Sequence, residues 1–207
     1  MRLKTIILSI YLFATFISSA QQKKTRDEID GFKWIEITDG RLRGAENING
    51  QILIPPEFNL VVYHSNDSYF RASLNGNVAV FEPDGKCVIA IDRDYSDVYK
   101  HRTRAGDVYY TVFRTSGTKQ SAGLCDKLGK EIISPAAGYD NIVRQEADGK
   151  IWYSVSRDNL VGACDSEGKE LIKPQYKSLT YYNGTFHYLN GTDWINLDLS
   201  LPTGKPE

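Results

Sequence analysis

A motif that recurs along the chain constrains its fold more than any other feature. The stretch GLCDKLGKEIISP at residues 123–135 returns almost unchanged as GACDSEGKELIKP at residues 162–174. Related stretches are GAENINGQILIPP at 44–56, AVFEPDGKCVIA at 79–90 and a degenerate WINLDLS at 194–200. The turn glycines of the first four copies are 35, 44 and 39 residues apart. This loose period of roughly forty residues is typical of a repeat module.

Each copy carries the chemistry of a tight turn. An acidic or amide side chain is followed three positions later by glycine in four copies, which is the pattern of a type I turn. The first side chain accepts bonds from the turn backbone, and the glycine takes the left-handed conformation that closes a bulged hairpin. The residues predicted to shape these turns are Asn47, Gly50, Glu82, Gly85, Asp126, Gly129, Asp165, Gly168 and Asp198.

Short strands flank every turn. The segment after each turn is apolar, and in three copies it meets a proline, which ends a strand. An aromatic residue then precedes an aliphatic one by three positions, in the pairs Phe58/Val61, Tyr95/Val98, Tyr139/Ile142 and Tyr176/Leu179. No segment after residue 20 shows helical periodicity.

The pattern predicts an all-β fold: an array of about four antiparallel β-hairpin repeats, stacked as an open or curved solenoid in which each repeat contacts its neighbours. The alternative is a closed four- or five-bladed propeller, in which FKWIEI at residues 32–37 pairs with the last repeat.

From about Gly44 to Asp198 the pattern resembles the WG repeat of bacterial proteins, whose unit joins Trp-Gly, an Asp turn, Gly-Lys, aliphatic residues and proline. The name-giving tryptophan survives only as Trp194, and the equivalent positions hold Arg43, Val78, Ala122 and Val161. Ala79 replaces the glycine in the second copy. The resemblance implies a β-repeat scaffold that is often exported, and it implies no reaction.

The first twenty residues predict a secretory signal peptide that is cut after Ala20. Arg2 and Lys4 precede an apolar run, and the small residues SSA follow it. We therefore expect a signal peptide at 1–20, a lead-in with the first strand at 21–40, a repeat domain at 41–200 and a flexible tail at 201–207. The expected location is the periplasm or the cell surface, with no membrane span after cleavage.

Charge and motif content narrow the classes of function. The net charge is −1 and no basic block occurs, which argues against nucleic acid as a partner. His64, His101 and His187 fall in different phases of the repeat and match no metal motif. No nucleophile motif or phosphate loop is present. We expect that the protein binds no cofactor and no metal and that it is not an enzyme. A hydrolase whose catalytic residues are dispersed along the sequence is the weaker alternative.

The positions of the cysteines allow two interpretations. Cys125 and Cys164 occupy the slot just before the turn aspartate, where other copies have Phe81 and Leu197. This slot is predicted to face the core, where cysteine acts as a small hydrophobe. The alternative is a disulfide between Cys125 and Cys164, because equivalent slots of neighbouring repeats come close in space.

Aromatic residues supply the remaining functional signal, since the chain has 13 Tyr and 3 Trp. Strand side chains alternate, so one ring of each adjacent pair is expected to face solvent. Tyr110, Trp152 and Tyr182 are the predicted outward rings and the candidate binding residues; the alternative is that the rings fill a thin core. We expect a non-catalytic binding or scaffold module for an envelope protein partner, or alternatively a carbohydrate-binding surface protein.

Overall fold

The structure, a computed structural model, describes residues 21–202. The predicted signal peptide and residues 203–207 lie outside the described residues. Within these residues five antiparallel sheets follow one another, and in each one consecutive strands pair as a meander. None of the five closes into a barrel, and the predicted all-β repeat array is confirmed. Within residues 21–202 no helix has the length and hydropathy needed to cross a membrane.

Four sheets have four strands and the last has three. The first sheet contains β1 (Gln22–Asp27), β2 (Lys33–Asp39), β3 (Leu42–Asn47) and β4 (Ile52–Phe58). The second contains β5 (Leu60–His64), β6 (Tyr69–Leu74), β7 (Asn77–Phe81) and β8 (Cys87–Ile89). The third contains β9 (Asp97–Arg102), β10 (Val108–Ser116), β11 (Lys119–Asp126) and β12 (Glu131–Ile133). The fourth contains β13 (Asn141–Ala147), β14 (Lys150–Arg157), β15 (Leu160–Cys164) and β16 (Glu170–Tyr176). The fifth contains β17 (Leu179–Tyr182), β18 (Thr185–Asn190) and β19 (Asp193–Asn196).

Both ends of the described region pack against the sheets. The segment at 21–40 holds two strands, β1 and β2, and both pair within the first sheet. At the other end Leu201 is buried against the fourth and fifth sheets, and its carbonyl accepts a bond from Lys150 Nζ at 3.1 Å. The expected domain boundaries, including the flexible tail at 201–207, stay predictions.

In the part of the chain that the structure describes, the hydrophobic core is divided into four clusters, and each cluster joins two successive sheets. Trp34 of the first sheet packs on Phe70 of the second, and Trp152 of the fourth packs on Phe186 of the fifth. The two clusters between them join the second sheet to the third and the third to the fourth. Over residues 21–202 no such cluster joins the fifth sheet to the first, and β2, which carries most of FKWIEI, pairs only with β1 and β3. The array is open, and the propeller alternative is not adopted.

The turns follow the predicted chemistry at Asn47, Asp126 and Asp165. Asp126 Oδ1 accepts bonds from the backbone N–H groups of Leu128 at 2.8 Å and Lys130 at 2.9 Å. Asp165 and Asn47 accept the equivalent pairs of bonds. In each of the first four sheets the strand register shifts at the slot just before the turn, which is the bulge that the left-handed glycine accommodates.

Two predicted turn residues act differently. The Glu82 backbone lies in the turn, but its carboxylate accepts bonds from Lys100 and Tyr110 of the third sheet instead of the turn backbone, and Asp84 accepts the bond from Lys86 N. Asp198 has φ 52 and follows β19, and its N–H donates to Asn196 Oδ1 at 2.7 Å. The prediction that Glu82 and Asp198 cap turns with their side chains is therefore wrong.

Three turn glycines also set the contact between sheets. A Cβ on Gly85 would lie 2.6 Å from Leu53 O in the first sheet. A Cβ on Gly129 would collide with Val88 O in the second sheet, and a Cβ on Gly168 would collide with Ile132 O in the third. Gly50 belongs to the first sheet and meets no backbone within 4 Å. Where a sheet precedes it, the turn glycine is therefore required for close stacking as well as for its positive φ.

A second glycine position explains a departure within the repeat. A Cβ on Gly162 would lie 2.7 Å from Pro174 N, and Gly44 and Gly123 approach their own prolines in the same way. The second sheet has no proline at this point, and there the glycine is replaced by Ala79, which is buried. Glycine and proline thus form one unit of close packing between the third and fourth strands.

Candidate functional site

The two faces of every sheet have different neighbours. We call the face that packs on the following sheet the forward face, and the other the backward face. The position equivalent to the tryptophan of the repeat lies on the forward face, since Val78 and Ala122 belong to the clusters shared with the next sheet. These two side chains are 2% and 0% exposed. In the fifth sheet the same position holds Trp194, and the ring is 50% exposed.

The forward face of the fifth sheet is the candidate site. Tyr181 and Phe186 pair across β17 and β18 and both pack against the fourth sheet, so their strand neighbours point the other way. We call this surface the terminal face; it consists of Ser178, Thr180, Tyr182, His187, Leu189 and Trp194. Five of these six residues line a cleft of about 730 Å³, the exception being Leu189.

Packing behind the terminal face holds it in place. The Phe186 ring contacts Trp152 edge-on at 5.2 Å and Tyr181 at 4.9 Å between ring centroids. The Tyr181 hydroxyl donates to Gly184 O at 2.9 Å, which fixes the hairpin between β17 and β18. The exposed side chains thus stand on a sheet whose opposite side packs on the fourth sheet through Tyr181 and Phe186.

The side chains of the terminal face combine apolar area with neutral polar groups. His187 Nε2 lies 3.2 Å from Tyr182 O and 3.1 Å from Thr185 Oγ1, so the ring is held against the face, 6.4 Å from the Tyr182 ring. Tyr182 is 63% exposed. No carboxylate is among the residues that line the cleft. The arrangement is suited to packing and hydrogen bonding; nothing in the lining pairs a histidine with an acid.

Two of the three predicted outward rings point inward. Tyr110 is fully buried against the second sheet, where its hydroxyl donates to Glu82 at 2.9 Å, and Trp152 is buried against the fifth sheet. Burial, followed by the Glu82 charge, raises the pKa of Tyr110, so this hydroxyl stays a donor. The prediction failed because both faces of an interior sheet are covered by other sheets. Tyr182 is exposed as predicted, and its role in binding stays a prediction.

Sequence reasoning missed Trp194 as a site residue. The available signal was the repeat itself, because among the five copies in the sequence only the last keeps a tryptophan in this slot.

The other candidate groups are packed individually. His64 stacks on Tyr69 at 4.7 Å and His101 stacks on Tyr109 at 4.8 Å, and burial lowers the pKa of both imidazoles. Across residues 21–202 no group of three or more His, Cys, Asp or Glu side chains is arranged to hold a metal ion.

The cysteines are free thiols. Cys125 and Cys164 are buried in different inter-sheet clusters, which excludes the disulfide alternative in this structure. Burial raises the pKa of both thiols to about 11. Each sulfur lies just under 4 Å from a tyrosine hydroxyl, Tyr95 for Cys125 and Tyr139 for Cys164.

The sequence model of the WG containing repeat matches residues 47–77, from the first turn through β4, β5 and β6 to the start of β7. A comparison with curated proteins found no match.

Proposed function

We propose that this WG-repeat protein is a non-catalytic scaffold whose terminal face binds a β-sheet of a partner protein. The partner would take the place that a following sheet takes elsewhere in the array. Repeat arrays present continuous surfaces whose units contact only their neighbours, so adding one more sheet at an end needs no rearrangement of the others.

The observation that carries this proposal is the exposure of Trp194. At the equivalent forward position Val78 and Ala122 are covered by the next sheet, whereas Trp194 is half exposed on a face with the same strand geometry. Tryptophan and tyrosine combine large apolar area with a polar tip, and both are enriched at protein interfaces. The terminal face therefore continues the four sheet-on-sheet interfaces already present in the chain.

Charge argues for a different protein rather than a second copy stacked head to tail. The position of the first sheet equivalent to Phe81 and Cys125 holds Glu46, whose carboxylate pairs with Lys23 Nζ at 2.7 Å. Stacking that sheet on Trp194 would place an ion pair against an aromatic surface, which costs desolvation energy without a new partner. A complementary sheet should instead offer apolar side chains like those on the backward faces of the second to fourth sheets.

We place the partner in the cell envelope, because the first twenty residues have the pattern of a secretory leader. The intact mass of the protein recovered from the periplasm or medium tests this part: a chain that begins at Gln21 is expected, and one that begins at Met1 would contradict it.

The binding claim is tested by site-specific crosslinking in cells that make the full chain. A photoreactive benzoyl-phenylalanine at position 180 is expected to crosslink a protein partner, while the same group at the exposed Val143 of β13 is not. The crosslinked protein is then purified and its affinity measured. The double change Tyr182→Ser and Trp194→Ser should weaken binding at least thirtyfold, as expected for the loss of an aromatic hot spot of about 2 kcal/mol.

A matched control is Tyr99→Ser, which removes an exposed ring from the third sheet and should leave affinity unchanged. Crosslinking only between copies of this chain would replace the partner by a symmetric dimer and contradict the proposal. If the protein binds soluble cell-wall oligosaccharides and this binding depends on Trp194, the glycan alternative would be established instead.

A further inference from the structure

A second cleft, of about 620 Å³, opens between the second and third sheets, away from the terminal face. Four cationic side chains line it: Lys86, Lys100, Arg102 and Lys127. The turn of the third sheet forms one wall and the start of its β10 strand forms another. The cleft belongs to a different interface from the terminal face and shares no residue with it.

The carboxylates of this cleft already have partners. Glu82 accepts bonds from Lys100 Nζ at 2.9 Å and from the Tyr110 hydroxyl at 2.9 Å. Asp126 is occupied by the N–H groups of its own turn. Asp107 pairs with Arg144 at 3.2 Å. Two of the three carboxylates on the cleft wall are therefore compensated by cations of the fold, and the third, Asp126, is hydrogen-bonded by the backbone of its own turn.

Three of the cations are left without such compensation. Lys100 is buried, with 3% of its side chain exposed, and is matched to Glu82. Among the described residues the charged groups of Lys86, Arg102 and Lys127 form no ion pair or side-chain hydrogen bond, although all three line one concave surface. The lining holds four cationic side chains and three carboxylates, so in a chain of net charge −1 it carries a local excess of positive charge.

Apolar groups complete the cleft. Val88 and Val108 are half-buried in its wall, and Leu128 at the tip of the turn is 66% exposed. A leucine exposed to this extent beside three free cations gives the surface both an apolar and an anion-attracting part. A simple inorganic anion would use only the second part.

We infer that this cleft binds a small organic anion, which carries a phosphate or carboxylate group on a compact apolar body. The anionic group contacts Lys86, Arg102 and Lys127, and Arg102 offers the paired donors that suit oxyanions. The apolar body lies against Val88, Val108 and Leu128. The Lys100–Glu82 pair forms a charge-matched floor.

Phenyl phosphate, inorganic phosphate and benzyl alcohol are the probes, measured by titration calorimetry on the mature chain at low salt. Phenyl phosphate should bind most tightly because it alone uses both parts of the cleft. Addition of 0.5 M salt should weaken its binding strongly, since the cations are exposed. Amide signals of Leu128 and Val108 should shift in nuclear magnetic resonance spectra on titration.

Paired substitutions separate this site from general charge attraction. Arg102→Gln with Lys127→Gln should weaken phenyl phosphate binding at least tenfold. Lys169→Gln with Lys173→Gln removes the same charge from exposed positions of the fourth repeat and should change affinity less than twofold. Equal losses in the two double variants, or equal affinity for phenyl phosphate and inorganic phosphate, would overturn the inference. Binding that depends on Trp194 instead would also overturn it.

Discussion

The two ends of the array present opposite surfaces. At the start, Glu46 occupies the slot that holds Cys125 and Cys164 in the third and fourth sheets, and Lys23 Nζ lies 2.8 and 2.7 Å from its two carboxylate oxygens. At the other end the forward face carries the half-exposed Trp194 ring and no charged side chain lines its cleft.

This difference gives the array a direction. Glu46, in the first sheet, is buried and is matched by Lys23, whereas Trp194 on the terminal face is half exposed. Gly50 and Gly129 also differ: a Cβ on Gly50 would have no backbone within 4 Å, and one on Gly129 would collide with the preceding sheet. Within residues 21–202 the array therefore carries a matched ion pair at one end and an exposed aromatic ring at the other.

The largest expected effect compares two tryptophans. Trp152→Ala removes a ring from the packed interface between the fourth and fifth sheets and should lower the free energy of unfolding by about 3–5 kcal/mol. Trp194→Ala removes an uncovered ring and should change it by less than about 0.5 kcal/mol. Urea unfolding followed by circular dichroism measures both values. Similar losses for the two variants would mean that the fifth sheet has no uncovered face.

The second comparison uses two turn glycines with similar positive φ. Gly129→Ala combines left-handed strain with a collision against Val88 O, and should cost about 3 kcal/mol of unfolding free energy. Gly50→Ala carries the strain alone and should cost about 1 kcal/mol. The difference between the two isolates the contact between sheets, and equal costs would show that the turn glycines act only through their conformation.

The third comparison tests the ion pair at the start of the array. Lys23→Ala leaves the buried Glu46 carboxylate without its partner and should lower stability by about 1 kcal/mol. Lys127→Ala removes an exposed lysine with no ion pair, and a change within about 0.5 kcal/mol is expected. Thermal unfolding at one protein concentration measures both. If Lys23→Ala leaves the stability unchanged, the ion pair between Lys23 and Glu46 does not stabilise the first sheet.

The smallest effect at neutral pH concerns the thiols. Because burial raises the pKa of Cys125 and Cys164 to about 11, their neutral forms favour the folded state. This contribution is fully present below about pH 8.5, where thiols of the unfolded chain are also neutral, and it is lost as the pH rises toward 11. Stability under reducing conditions should therefore decline over that window, and less so in the Cys125→Ala and Cys164→Ala double variant.

Labelling with a disulfide reagent at pH 8 gives a direct check on the same thiols. Cys87 is exposed and should react in the native protein, while Cys125 and Cys164 should react only after unfolding. Equal labelling of all three in the native state would contradict the packing of the two middle interfaces.

The sequence predicts the local elements of this fold well and the environment of each face poorly. The turns at Asp126 and Asp165 were predictable because their chemistry is confined to four or five consecutive residues. Glu82 was misjudged because Asp84, two residues on, takes over the bond to the turn backbone and frees Glu82 for the neighbouring sheet.

The prediction of the exposed aromatic residues failed for a different reason. Because side chains alternate along a strand, Tyr109 and Tyr110 point to opposite faces, and so do Trp152 and Tyr153. Alternation does not determine whether a face is exposed to solvent. In the interior sheets both faces meet another sheet, so Tyr110 and Trp152 are buried. Trp194 differs from the buried rings only because it lies in the last of the five sheets. Its exposure therefore depends on packing between units about forty residues apart.

Fluorescence quenching of Trp194 tests the central claim most directly. In the free mature protein, acrylamide should quench one of three tryptophans, because Trp34 and Trp152 are buried, and Trp194→Phe should remove the quenchable fraction. Addition of the partner protein identified by crosslinking should protect Trp194 from acrylamide, as the next sheet protects the forward faces inside the array. A Trp194 that stays fully quenchable in the saturated complex would contradict the proposal that this face receives the partner's sheet.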